Sequence, residues 1–104
     1  MSTTCEKVVT VSSPQGLHLR PANTLSRAAA RFQSVIEIEK DGQAVDCKSI
    51  MGLLTLGAEH GSVLHIRAVG VDAKEAMDLL SDLFENGFEE LDSIVETPAN
   101  PVEE

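Results

Sequence analysis

Three side chains in this sequence combine reactive or anion-binding chemistry with a position at which a helix would hold them. They are His18 and Arg20 in Gly16-Leu17-His18-Leu19-Arg20-Pro21-Ala22, and Ser49 in Lys48-Ser49-Ile50-Met51-Gly52-Leu53-Leu54. His18 stands just before a helix whose first position suits Pro21, because the missing N–H has no intrahelical partner there anyway. The start of such a helix offers N–H donors and partial positive charge. An anion carried on the imidazole would therefore meet donors aimed at it, with Arg20 adding charge-assisted hydrogen bonds. Gly16 would let the backbone approach without a side chain in the way. On physical grounds alone, the same pattern also fits a histidine that only caps or decorates the helix start, and both readings stand at this point.

Ser49 is read as the N-cap of a short helix over Ile50–Leu56 that Gly57 closes. Within it, Ile50, Met51 and Leu54 fit either a core or an exposed apolar patch, and the unbranched Met51 suits adaptable contacts in both cases. Arg27, Arg31 and Lys48 are by default solvated charges. His60, beside the Gly61 turn, and His65, on the polar side of its strand, share no ligand spacing with His18. No metal or cofactor is expected. Cys5 and Cys47 lie far apart without metal-type spacing and read as free thiols of a reducing cytoplasm.

The elements that must position these residues follow from periodicity. Glu6–Val11 alternates, with Val9 and Val11 on one face and Val8 and Thr10 on the other, as a half-buried strand does. Between Pro21 and Phe32, Ala22, Leu25, Ala29 and Phe32 recur at helical spacing, leaving Arg20, Arg27 and Arg31 outward. Val35–Lys40 and Gln43–Cys47 form two strands joined by Asp41-Gly42, a typical two-residue hairpin turn. Val63–Ala68 is a fourth strand with Leu64, Ile66 and Ala68 inward. Asp72 and Glu75 predict a capping box for the last helix, whose buried stripe is Ala76, Met77, Leu80, Leu83, Phe84 and Phe88. The order βαββαβα, with one apolar stripe per helix, predicts an α+β fold with helices on one face of an antiparallel sheet.

Composition bounds the function. A chain of 104 residues with 42% hydrophobic content supports one core. We expect one domain over residues 1–96 and a disordered acidic tail at 97–104, where two prolines occur without apolar periodicity. The net charge of −9 divides unevenly, with seven Lys/Arg against six Asp/Glu up to residue 71 and one Lys against eleven acids after it. Such a field repels phosphate backbones, and three Phe with no Trp or Tyr leave little for base stacking. No nucleic-acid partner is expected. Neither a targeting segment nor a membrane-spanning stretch is evident, so a cytoplasmic protein without membrane insertion is expected.

Gly16-Leu17-His18-Leu19-Arg20-Pro21-Ala22 closely resembles the phosphorylation motif of the HPr family, the histidine-containing carriers of the phosphoenolpyruvate-dependent phosphotransferase system. The resemblance runs from about Glu6 to Glu90. It includes Lys48–Leu54, the Leu56-Gly57 step, the Gly61 turn and the Gly70-Val71-Asp72 junction. It implies an open-faced β-sandwich of four antiparallel strands and three helices. It also implies a monomeric stoichiometric phosphoryl carrier rather than an enzyme, in which enzyme I delivers a phosphoryl group to Nδ1 of His18, Arg20 stabilises it and a IIA protein accepts it. Leu19 stands where the family usually has a smaller residue, a departure that bears on partner choice. By the same resemblance, Ser49 matches a serine that HPr kinase/phosphorylase modifies. Leu19, Pro21, Arg27, Lys48, Ile50, Met51 and Leu54 would then belong to a partner-docking surface around the histidine. Two other roles fit the same family: a regulatory phosphorelay, such as the nitrogen-related branch, and a binding-only regulator controlled through Ser49.

Overall fold

Alternating segments become strands and periodic ones helices, in the order β1 (Thr3–Thr10), α1 (Leu19–Ala29), β2 (Val35–Lys40), β3 (Gln43–Asp46), α2 (Ile50–Thr55), β4 (Val63–Gly70) and α3 (Ala73–Glu85). The structure, a computed structural model, describes residues 2–88. The strands form one antiparallel sheet in the order β1-β4-β2-β3. Its inner face, with Val9, Ile36, Ile38, Leu64, Ile66 and Ala68, joins Ala22 and Leu25 of α1, Leu53 of α2 and Leu80 and Leu83 of α3 in one buried core. Full burial of each larger aliphatic side chain there contributes about 1.5–3 kcal/mol. Glu6, Val8, Glu37, Glu39, His65 and Arg67 point outward on the open face.

Several boundaries move, each for a local reason. Strand β1 begins at Thr3, because β4 runs on to Gly70 and pairs with it there, and it stops at Thr10. Val11 leaves the ladder but stays buried, its N–H donating to the Ser62 carbonyl at 2.9 Å. Helix α1 starts at Leu19, which makes Pro21 its third residue rather than its first. The first ladder bond is Ala22 N–H to the His18 carbonyl at 3.0 Å, so proline still sits ahead of any amide the helix needs. Asp41 (φ 53°) and Gly42 (φ 88°) both take the left-handed conformation of a type I′ turn between β2 and β3. The proposed boundary at residue 96 and the tail at 97–104 lie outside the described residues.

The capping box expected at Asp72 does not form. Asp72 occupies the N-cap position of α3 but makes no side-chain cap hydrogen bond. Its carboxylate instead accepts from the N–H of Gln33 (2.8 Å) and from the N–H (2.9 Å) and hydroxyl (2.5 Å) of Ser34. Three donors on the connection between α1 and β2 compete successfully with the helix amides, and the carboxylate staples two chain segments 38 residues apart. The Ser34 hydroxyl foremost, and then the Gln33 amide, hold the Asp72 carboxyl below its ordinary value of 3.8. A depressed folded-state pKa contributes stability that is present above pH 4 or so and lost as the pH falls through the folded value. Thermal melts should therefore show Tm falling more steeply below about pH 4 in the parent than in Asp72→Ala. Parallel acid profiles would show that the staple contributes nothing.

Candidate functional site

The loop between β1 and α1 is fixed at both ends by the segment Ala58–Ser62. At its start the Val11 N–H reaches Ser62 and the Gly61 N–H donates back to Val11 at 2.8 Å. At its end the N–H of the buried Leu17 donates to the Ala58 carbonyl at 2.9 Å. Between them a turn closes through the Gly16 N–H to the Ser13 carbonyl, also 2.9 Å. Gly16 takes φ 76°, and a Cβ there would lie 2.5 Å from the Ala58 oxygen. The close approach that glycine permits is thus to the protein's own backbone, and it delivers His18 to the mouth of α1.

His18 is the N-cap residue of α1 with extended backbone (φ −84°, ψ −169°), and its imidazole makes no cap hydrogen bond. The half-buried ring opens into a cleft of about 330 Å³ lined also by Ser13, Pro14, Arg20, Pro21, Gly87 and Phe88. One imidazole, one guanidinium and the first turn of a helix therefore meet in an open site. That geometry suits a small anion bonded to the ring, because the ring sits at a helix start, where N–H donors and partial positive charge lie, and shares its cleft with Arg20.

Ser49 is the N-cap of α2, as its place before an apolar turn predicts, its Oγ accepting from the Gly52 N–H at 3.0 Å. Helix α2 packs beside α1, but Lys48, Ser49, Ile50, Met51 and Leu54 do not line the His18 cleft. Leu53 is the inward residue of α2, while Met51 (74% exposed), Leu54 (37%) and, on α1, Leu19 (62%) present apolar surface to solvent. Lys48 reaches the other end of α1, where its ammonium donates to the Phe32 carbonyl at 2.8 Å. Arg27 lies exposed in the last turn of α1, nine residues beyond His18 and so about 13 Å along the axis. His60 and His65 are both exposed, His65 on the outer face of the sheet. A larger depression of about 500 Å³ lies on that face, lined by Glu6, Glu37 and Glu39 together with Lys7, His65 and Arg67, and no helix start opens into it. Burial pushes the Cys47 thiol up to about 12, so it packs as a protonated core residue. Among the described residues, no three His, Cys, Asp or Glu side chains come together as metal ligands.

Two cleft residues, Gly87 and Phe88, escape the sequence reading of the site; Phe88 is buried as expected, but not as a helical residue. Phe88 is not the end of the helical stripe but the second residue past the α3 C-cap, Asn86. Its N–H donates to the Leu83 carbonyl (2.9 Å) and that of Gly87 to the Phe84 carbonyl (3.4 Å), the paired bonds of a Schellman cap. Asn86-Gly87 after the last periodic residue was the available signal.

The family model described as "PTS HPr component phosphorylation site" matches residues 5–86, which contain the whole of this loop, α1 and α2. The chain belongs to the HPr family. The phosphocarrier protein HPr of Xylella fastidiosa is 41% identical over 85 residues, covering 82% of this chain and 96% of that protein. The HPr-like protein Crh of Halalkalibacterium halodurans is 47% identical over 75 residues, covering 72% and 89%. The crystal structure of HPr-C-His from Thermoanaerobacter tengcongensis superposes with a TM-score of 0.80 at 41% identity, covering 83% of this chain and 97% of that one. The four-stranded open-faced sandwich is thus the HPr fold, and no helix among the described residues is long and apolar enough to cross a membrane.

Proposed function

We propose that this HPr-family protein is a cytoplasmic phosphoryl carrier that takes a phosphoryl group from phospho-enzyme I onto Nδ1 of His18 and passes it to IIA proteins. The observation carrying this reading is the placement of His18: an N-cap imidazole with no capping bond of its own, sharing an open cleft with Arg20 and Pro21. In the transfer, the imidazole lone pair attacks phosphorus, a new N–P bond forms, and the donor's bond to phosphorus breaks with its electron pair leaving on the donor. The negative oxygens then rest against the helix start and Arg20. A second acceptor reverses the sequence, which an open site with few donors favours, since the group must leave again.

The apolar surface of Leu19, Ile50, Met51 and Leu54 forms the docking face for both partners, with Pro21, Arg27 and Lys48 on its margins. A methionine at its most exposed point suits more than one partner. Incubation with phosphoenolpyruvate and a cognate enzyme I should give one acid-labile, base-stable phosphate per chain. A chain that stays unlabelled with active enzyme I would remove the proposal.

The resemblance of Lys48–Leu54 to the serine segment that HPr kinase/phosphorylase modifies supports a second, regulatory input at Ser49. Ser49 Oγ caps α2, so phosphorylation would change both the charge and the capping group beside the docking face. Ser49→Ala should lose about 1 kcal/mol of stability in urea unfolding. The same variant should lose all ATP-dependent label, and label that persists would place the phosphate elsewhere.

A further inference from the structure

We infer that Phe88 is a positioning residue for the phosphoryl-bearing imidazole, forming an apolar wall that keeps water from one side of the His18 cleft. The inference rests on His18 as the carrier. Phe88 is buried although it follows the end of α3, and its φ of 69° is a left-handed conformation that a bulky residue seldom adopts. Such a conformation persists only where the surroundings over-determine it, and the turn and its packing do so here. The Schellman bonds turn the chain back at Leu83 and Phe84. The Phe84 ring meets that of Phe88 edge-on, with centroids 5.0 Å apart and planes at 73°. The Ser12 hydroxyl donates to the Phe84 carbonyl at 3.3 Å, fastening the loop that carries His18 to the same turn.

Gly87 and Phe88 thus line the same cleft as His18, together with Ser13, Pro14, Arg20 and Pro21. The family match ends at residue 86, so this wall lies just past the matched segment. Loss of a phosphoryl group from His18 to solvent requires water to attack phosphorus, forming inorganic phosphate as the N–P bond breaks and the electron pair returns to the imidazole. The phenyl ring of Phe88 carries no hydrogen-bonding group, so it neither holds nor orients a water. The tether through Ser12 and Phe84 also limits how far the ring can move from the helix start.

The test uses phosphoramidate, which phosphorylates imidazole directly with release of ammonia and so needs no enzyme I. The His18 adduct is followed by phosphorus NMR as the resonance missing from His18→Ala. Phe88→Ala should shorten the adduct's half-life about three- to tenfold. Phe88→Leu, which keeps an apolar side chain, should stay within about twofold of the parent. Leu79→Ala, on the same helix and packed against the core outside the cleft, should lower Tm without changing the half-life. An unchanged half-life in Phe88→Ala, or an equal shortening in Leu79→Ala, overturns the inference. A parent that phosphoramidate labels but enzyme I does not would instead refute the proposed donor and leave the wall measurable. Absence of any His18 adduct would overturn both.

Discussion

Labelling from phosphoenolpyruvate and enzyme I should fall to background in His18→Ala. The effect is expected to be total because no second imidazole is placed to substitute. His60 lies exposed beside the Gly61 turn, and His65 points outward from β4, opposite Val8 on one side and Glu39 on the other. Neither shares a cleft with Arg20 or a helix start. The substitution should leave the fold nearly intact, since the imidazole contributes no cap bond and the ladder to α1 begins at the His18 backbone carbonyl. A Tm within a few degrees of the parent would correspond to less than about 1 kcal/mol. Loss of label with retention of a cooperative melt therefore separates loss of chemistry from loss of structure. Label that persists in His18→Ala would remove His18 from the carrier role, whatever the family resemblance of the rest of the chain.

The difference between what local pattern revealed and what it did not is physical. Ser49 was legible because capping is decided within four residues: a hydroxyl, an apolar turn and the Gly52 amide are all the interaction needs. The sheet was legible because Val9, Ile36, Ile38, Leu64 and Ile66 can face only one way once a single core exists. Asp72 was misread for the opposite reason. Its sequence neighbours offered a capping box, but Gln33 and Ser34, 38 or more residues away, brought three donors that no local window contains. Phe88 fitted the helical period of α3, yet the Schellman turn had already ended the helix, and Phe88 lines the cleft that holds His18. His18, Arg20 and Pro21 of the candidate site lie within four residues of one another and could be read directly. Gly87 and Phe88, about seventy residues further along the chain, joined the cleft only through the fold.

Gly16→Ala should be the most damaging small substitution in the loop, lowering stability by about 2–4 kcal/mol and slowing phosphoryl transfer together. Two costs combine. The left-handed backbone at φ 76° disfavours any L side chain by about 1–2 kcal/mol. The added methyl would also meet the Ala58 oxygen at 2.5 Å and the Glu59 Cα at 2.9 Å, and both neighbours are backbone that cannot rotate aside. Relief must come from separating the loop from Ala58, which breaks the Leu17 amide bond to that same carbonyl and moves His18, the next residue in the chain. A shift of an ångström in the attacking nitrogen is enough to cost on the order of a hundredfold in a reaction that depends on alignment. Gly57→Ala separates the two costs, because Gly57 has φ 61° but nothing within 4 Å of a Cβ. It should lose only the conformational part, about 1–2 kcal/mol, and transfer at close to the parent rate. Urea unfolding and enzyme I kinetics on the pair then give the result. Equal losses in the two variants would show that the approach of the loop to Ala58 does not hold His18 in place.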